Sequence, residues 1–161
     1  LGPASVWIGS KKVKRHDGEG IKFDLLAEVY KNGTQLVGSG ELDKIDGGKN
    51  GFKHAKLNSI PLSLSSPVDL PAGSSLSIKL YVRNTCFGNK HNSGTARLWY
   101  NDLPANSHFD ATINSITSSY YLLTGFQLGT NPGSGPKQTI DVPAGAPCSA
   151  FKLFGSWEKT F

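Results

Sequence analysis

The feature that most constrains this chain is an alternation of apolar and polar side chains with a period of two residues. It is clearest in residues 76–83, Leu-Ser-Ile-Lys-Leu-Tyr-Val-Arg, and in residues 95–100, Thr-Ala-Arg-Leu-Trp-Tyr. Such alternation is typical of β-strands that bury one face and expose the other. We predict that the two segments pair as a β-hairpin, with Leu80 opposite Leu98 on the buried face.

The solvated face of this hairpin is the candidate ligand-binding surface. Sugar rings stack on exposed aromatic side chains, and guanidinium groups donate hydrogen bonds to hydroxyl oxygens. The alternative is that Trp99 is covered by a loop or by the second sheet, since tryptophan is on average highly buried. The alternation places four such residues together on this face: Tyr81, Arg83, Arg97 and Trp99.

Short segments of the same kind recur along the chain, separated by turns rich in Gly, Pro, Asn and Ser. The strongest turn signal is Asn32-Gly33, because both central residues of a type I′ turn need positive φ. The 161 residues suffice for one domain with its own core. We predict a single domain over residues 1–161, an all-β antiparallel sandwich of two sheets, of jelly-roll or immunoglobulin-like type.

The two cysteines, Cys86 and Cys148, most simply form one disulfide in an oxidising compartment; the alternative is two buried thiols. No apolar run approaches the ~18 residues of a membrane span. The chain has no methionine and starts at Leu1, so we expect that a signal peptide or a longer upstream region precedes it. We therefore predict an extracellular or cell-surface location.

Positive charge is concentrated near the N-terminus. The formal net charge is +5, and Lys11, Lys12, Lys14 and Arg15 lie almost side by side. Such a run is a candidate patch for an anionic polymer, such as an acidic polysaccharide, cell-wall phosphate or extracellular DNA. The alternative is a solvated loop between two strands, which is the usual role of a short charge run. Nucleic acid is the less expected partner.

The sequence contains no recognisable catalytic motif, and its four histidines are scattered. Glu28 and Glu41 flank the predicted Asn32-Gly33 turn, but two carboxylates there are equally explained as solvated surface groups. We predict that the chain is not an enzyme.

We predict no bound cofactor, with a structural calcium ion as an open alternative in residues 17–19 or 43–48. Two lysines, Lys44 and Lys49, oppose cation binding in the second segment. Asn32-Gly-Thr34 is also a candidate glycosylation sequon, although the turn alone explains it.

Residues 23–33, 76–83 and 94–101 resemble a poorly characterised β-rich module of large secreted bacterial proteins. The resemblance covers most of the chain, including residues 151–157. It implies an extracellular module within a multi-part surface or secreted protein, and it carries no catalytic residues.

Taken together, the sequence predicts a non-catalytic extracellular module for adhesion, or for assembly by edge-strand pairing between copies. For assembly, the short apolar segments 6–8 and 153–161 are candidates for exchange between copies; the alternative, which is slightly favoured, is that both pair within their own domain. The second possibility is a carbohydrate-binding module that uses the Trp99 surface, and the third is a polysaccharide hydrolase.

Overall fold

The computed structural model describes residues 1–14, 21–47, 49–86, 93–145 and 148–161. Within these ranges the chain is all-β, and its one helical element is a single 3₁₀ turn, Phe52–His54. No helix in the described part of the chain is long and apolar enough to cross a bilayer. The all-β class predicted from the alternation is confirmed.

Twelve strands make up the described part of the chain. In chain order they are β1 (Ala4–Lys14), β2 (Lys22–Lys31), β3 (Gln35–Asp46), β4 (Lys56–Ile60), β5 (Ser63–Leu64), β6 (Ser75–Asn84), β7 (Ser93–Tyr100), β8 (His108–Ile113), β9 (Ile116–Leu123), β10 (Gln127–Gly129), β11 (Gln138–Ala144) and β12 (Lys152–Thr160).

Hydrogen bonds join all the strands into one sheet, in the order β11-β7-β1-β8-β9-β10-β12-β6-β2-β3-β5, with β4 also paired to β1. The predicted division into two separate sheets is therefore not confirmed. Two narrow links keep the sheet continuous. Strand β8 pairs with β1 only at Ala4 and Ser5, and β10 joins β12 through the single parallel pair of Gln127 with Glu158.

The sheet folds back so that its two halves enclose one core. Strand β11 lies six positions from β12 in the sheet, which would separate them by about 29 Å if the sheet were flat. Residues of β11 nevertheless lie within 8 Å of residues of β12 and β6, measured between Cα atoms. We call β4, β1, β7 and β11 the first half, and β12, β6, β2, β3 and β5 the second half. The inward side chains of all these strands except β5 belong to a single hydrophobic cluster.

The alternation correctly predicts which side chains are buried. Leu80 in β6 and Leu98 in β7 are 2% and 0% exposed, and both belong to the same core. The predicted hairpin is wrong, however, because β6 pairs with β2 and β12, whereas β7 pairs with β1 and β11. A period of two residues specifies the buried face of a strand, but it does not specify the neighbouring strand.

The turn at Asn32-Gly33 forms as predicted and connects β2 to β3. Both residues have positive φ, 49° and 72°, and the Thr34 N–H donates to the Lys31 carbonyl at 3.3 Å. The Asn32 side chain also accepts a hydrogen bond from the Ser75 N–H at 2.9 Å. The turn is thereby attached to the start of β6.

The predicted disulfide between Cys86 and Cys148 is present, with the two Cα atoms 4.9 Å apart. It joins the residues that follow β6 to those that precede β12, two strands that are antiparallel neighbours. The bond spans 62 residues, a loop whose closure entropy corresponds to about 4 kcal/mol. It therefore closes the end of this ladder and restricts the unfolded chain.

Replacing both cysteines by alanine removes the disulfide without leaving a reactive thiol. We expect the free energy of unfolding in urea to fall by about 2–4 kcal/mol, because the unfolded chain gains conformational freedom. The far-ultraviolet circular dichroism spectrum of the variant should remain that of a β-protein. A loss below about 1 kcal/mol would contradict a stabilising role for the bond.

Candidate functional site

The predicted four-residue surface is divided between the two halves of the sheet. Arg97 and Trp99 lie on the outer face of β7, and Tyr81 and Arg83 lie on the outer face of β6. Because β6 and β7 are not neighbours, the structure contains two separate surfaces. We call them the tryptophan surface (Trp7, Lys11, Phe52, Lys53, Arg97, Trp99, Lys137 and Asp141) and the tyrosine surface (Glu28, Tyr30, Lys79, Tyr81 and Arg83).

On the tryptophan surface, the aromatic rings pack against one another. Trp7 in β1 lies opposite Trp99, and the ring of Phe52 lies 5.3 Å from Trp7 and 5.6 Å from Trp99 between centroids. Gly9 permits this packing, since a Cβ atom there would lie 3.4 Å from Trp99 Nε1 and 3.5 Å from the Lys49 carbonyl oxygen. Trp99 is thus partly covered by the segment between β3 and β4.

Charged side chains surround these rings and are held in fixed positions. The Arg97 guanidinium donates to both carboxylate oxygens of Asp141, at 2.6 and 2.7 Å, and to Asn50 Oδ1 at 3.3 Å. The hydrogen bonds from Arg97 lower the pKa of Asp141. Lys11 also contacts Asp141, at 3.3 Å, and the Lys137 ammonium lies 3.6 Å from the centre of the Phe52 ring.

The predicted basic patch is only partly described. The loop alternative is wrong for Lys11 to Lys14, because β1 continues through Lys14. Lys11 pairs with Asp141, and Lys12 is exposed, with φ of 52°, at an irregularity in the pairing of β1 with β7. The side chain of Lys14 and all of Arg15 lie outside the described residues.

On the tyrosine surface, neighbouring strands bring a carboxylate and two phenols together. In the pairing of β2 with β6, Glu28 lies opposite Lys79 and Leu26 opposite Tyr81. The Tyr30 hydroxyl donates to Glu28 Oε2 at 2.7 Å. Burial, followed by the hydrogen bond to Glu28, raises the pKa of Tyr81 to about 12.

The tyrosine surface differs from the tryptophan surface in the contacts that its aromatic rings make. Within the described ranges, neither Tyr30 nor Tyr81 stacks on another aromatic ring. Lys79 places its ammonium 4.3 Å from the centre of the Tyr30 ring. Leu153 in β12 lies opposite Tyr81 and is 49% exposed, so this part of the sheet is open to solvent.

At one end of the tyrosine surface, Arg83 neutralises a buried acid. Asp24 is 0% exposed, and its carboxylate accepts hydrogen bonds from Arg83 Nε at 3.0 Å, from the Lys44 N–H at 3.0 Å and from the Cys86 N–H at 3.3 Å. Burial raises the pKa of Asp24, but these hydrogen bonds outweigh it and the net shift is downward. The guanidinium also contacts Glu41, at 3.1 Å.

The same end contains the geometry closest to a metal site. Asp24, Glu41 and Asp43 each place one carboxylate oxygen within 4.8 Å of the others. Calcium takes six to eight oxygen ligands, whereas here Arg83 already contacts two of the three carboxylates. The geometry therefore favours Arg83, not a metal ion, as the counter-ion. The other calcium candidate, residues 17–19, lies outside the described residues.

Asn32, the candidate glycosylation residue, lies exposed in the turn between β2 and β3. Its Oδ1 atom accepts the hydrogen bond from Ser75, and a glycan would be attached through Nδ2. The local structure thus explains the residue as a turn former and leaves the sequon at the surface.

A pocket of about 190 Å³, lined by both apolar and polar residues, was not predicted. Its walls come from the N-terminus, β3, the segment between β5 and β6, and β8, which are far apart in the sequence. Asp69 is its one carboxylate among the lining residues. They are Leu1, Val37, Leu64, Val68, Asp69, Leu70, Leu76, Ala111, Thr112, Ile113 and Asn114.

No family model, curated protein or solved structure matches this chain. The resemblance to a module of secreted bacterial proteins therefore stays a prediction.

Replacing Arg83 by methionine removes the guanidinium from the buried carboxylate of Asp24. We expect the free energy of unfolding at pH 7 to fall by about 2–4 kcal/mol. An acid with a lowered pKa stabilises the fold above its ordinary value of 3.8, and this contribution is lost as the pH falls below that value. The difference between wild type and variant should therefore shrink in acid, as measured by urea unfolding at several pH values.

The matched control is Lys56→Met, which breaks the exposed ion pair with Asp46. It should cost less than about 1 kcal/mol. A difference between wild type and Arg83→Met that stays constant from pH 7 to about pH 3 would contradict the role assigned to Arg83.

Proposed function

We propose that this chain is a non-catalytic extracellular adhesion module that binds neutral sugars through the tyrosine surface. The observation that carries the proposal is the group formed by Tyr30, Glu28 and Tyr81 on an open sheet face. Such a group combines hydrogen-bonding atoms with aromatic rings, which are the two features that sugar recognition requires.

The chemistry of Glu28 supports a hydroxyl-rich ligand. An ionised carboxylate has about four acceptor sites, and the hydroxyls of Tyr30 and Tyr81 use two of them. The remaining sites suit two adjacent hydroxyls of a sugar ring. The pKa of Tyr81 is raised to about 12, so its phenol remains a hydrogen-bond donor even well above neutral pH.

The charges of the tyrosine surface favour a neutral ligand over a polyanion. Lys79 and Arg83 contribute positive charge, and Glu28, Glu41 and the buried Asp24 contribute negative charge beside them. The carboxylates at least offset the two cations, so the surface has little long-range attraction for a polyanion. Specificity would then come from hydrogen bonds and ring contacts at short range.

The extracellular location is supported by the disulfide, whose two cysteines are both exposed. Exposed disulfides of this kind persist in oxidising compartments. We further propose that the two halves of the folded sheet act as the two layers of a sandwich. On that arrangement the tyrosine and tryptophan surfaces are available on separate outer faces.

Assembly by edge-strand pairing has weaker support than adhesion. The edge strand β5 has two residues, β4 is followed directly by Pro61, and β11 contains Pro143. Short edges and prolines are the features by which natural sheets avoid pairing with one another. The two terminal strands are also paired within the chain. Strand β1 pairs with β4 and β7, and strand β12 pairs with β6 and β10.

A hydrolase also has weaker support. Glycosidases place two carboxyl groups on either side of a cleft. Glu28 and Glu41 instead lie diagonally on one open sheet face, the first bonded to Tyr30 and the second to Arg83. Both hydrogen bonds are explained by their role in ordering the side chains of this surface, without a catalytic role.

Glycan-array binding of the wild type, followed by titration of a bound neutral oligosaccharide, tests the proposal. Glu28→Gln keeps the shape of the side chain but removes the charge that strengthens hydrogen bonds to hydroxyls. We expect its affinity to fall at least about tenfold, which corresponds to about 1.4 kcal/mol. Asp69→Asn is the control, since it makes the same charge change in an exposed segment away from this surface.

Failure of the wild type to bind any neutral glycan on the array would overturn the proposal. An equal loss in Glu28→Gln and Asp69→Asn would also do so, because the effect would then be one of net charge. Release of new reducing ends that disappears in Glu28→Gln would indicate a hydrolase.

A further inference from the structure

We propose that the tryptophan surface is a second binding site, independent of the tyrosine surface, and that its ligand is an acidic polysaccharide. Four cations and one carboxylate lie around the aromatic rings of this surface. They are Lys11, Lys53, Arg97, Lys137 and Asp141.

The cations come from separate parts of the chain and converge over β1 and β7. Lys11 belongs to β1 and Arg97 to β7, and both contact Asp141 of β11. Lys137 immediately precedes β11 and lies over Phe52, and Lys53 is the exposed neighbour of Phe52 in the 3₁₀ turn. Folding therefore creates a concentration of positive charge that the sequence does not show as a run.

The surface has an excess of positive charge. Four cations against one carboxylate leave three charges unbalanced, compared with a formal net charge of +5 for the whole chain. A second acid of the same region, Asp46, is already paired with Lys56 at 2.6 Å. A clustered excess of this kind attracts polyanions and releases their counter-ions on binding.

Several of these charges are held in place before any ligand arrives. Arg97 is fixed by Asp141 and Asn50, with its guanidinium 5.5 Å from the centre of the Trp99 ring. Lys137 is held against Phe52 at 3.6 Å. Side chains that are already ordered lose less conformational entropy on binding, so these fixed charges favour the binding of a polyanion.

The aromatic rings distinguish an acidic polysaccharide from a single-stranded nucleic acid. Binding of single strands depends on free ring faces on which bases stack. Here Phe52 packs against Trp7 and Trp99, and Lys137 lies over Phe52. The surface therefore offers charge and hydrogen bonds in preference to stacking.

The experiment compares binding of the wild type to dextran sulfate, polygalacturonate, uncharged dextran and a single-stranded DNA oligomer at several salt concentrations. We expect binding to the two acidic polysaccharides that weakens as salt increases, and no binding to uncharged dextran at this surface. The double variant Lys53→Gln/Lys137→Gln should bind the acidic polysaccharides at least tenfold more weakly. Its salt dependence should be shallower, because fewer counter-ions are released.

The matched control is Lys44→Gln/Lys152→Gln, which makes the same charge change at two exposed lysines of the second half. It should retain the wild-type affinity within about twofold, since the charges removed lie away from the surface. Thermal unfolding of each variant checks that the fold is intact, and Lys53→Glu alone serves as a second variant at a solvent-exposed position. Glu28→Gln should leave this binding unchanged, which separates the two sites.

Three outcomes would overturn the proposal. The first is an equal loss of binding in the two double variants, which would indicate an effect of net charge. The second is stronger binding to single-stranded DNA than to either acidic polysaccharide. The third is the absence of binding to any polyanion at about 0.15 M salt, where a specific electrostatic site should still hold its ligand.

Discussion

The core between the two halves of the folded sheet determines where the two candidate surfaces lie. Leu25 and Leu80 on one side and Ile8 and Leu98 on the other are each at most 2% exposed, and all belong to one cluster. Burial of these side chains is the main favourable term that closes the sheet on itself. Closure turns the alternate side chains of β6 and β7 outward on different faces, and so one chain presents two chemically different surfaces.

The two surfaces differ because their aromatic side chains make different contacts. On the first half, Phe52 covers Trp7 and Trp99, and the cations form a rim around a packed aromatic group. On the second half, Tyr30 and Tyr81 direct their hydroxyls to Glu28 and remain on an open face. The packing of Phe52 on the two tryptophans stabilises the segment between β3 and β4. The tyrosine surface instead keeps hydrogen-bonding atoms beside accessible rings. The proposed ligands, a polyanion and a neutral sugar, follow from this difference.

The local features of the fold could be predicted from the sequence, and the pairing of distant strands could not. The alternation identified the buried faces of β6 and β7, and Asn32-Gly33 identified a turn, because both depend on neighbouring residues. The partners of β6 depend on which strands of the whole chain pair best with its two edges. The alternation within β6 carries no information about those distant strands. The candidate site was divided for this reason. Glu28 and Tyr30, the further members of the proposed sugar site, were not predicted because they join Tyr81 only through the pairing of β2 with β6.

Backbone proton contacts measured by nuclear magnetic resonance test the central claim most directly, since residues directly opposite in antiparallel strands lie within about 5.5 Å of each other between Cα atoms. We predict cross-strand contacts between the backbone protons of Leu98 and Ile8, and between those of Leu80 and Ala27, the partners in the folded sheet. Contacts between the backbone protons of Leu80 and Leu98 would instead place β6 beside β7. That result would reunite the two surfaces on one face and contradict the account.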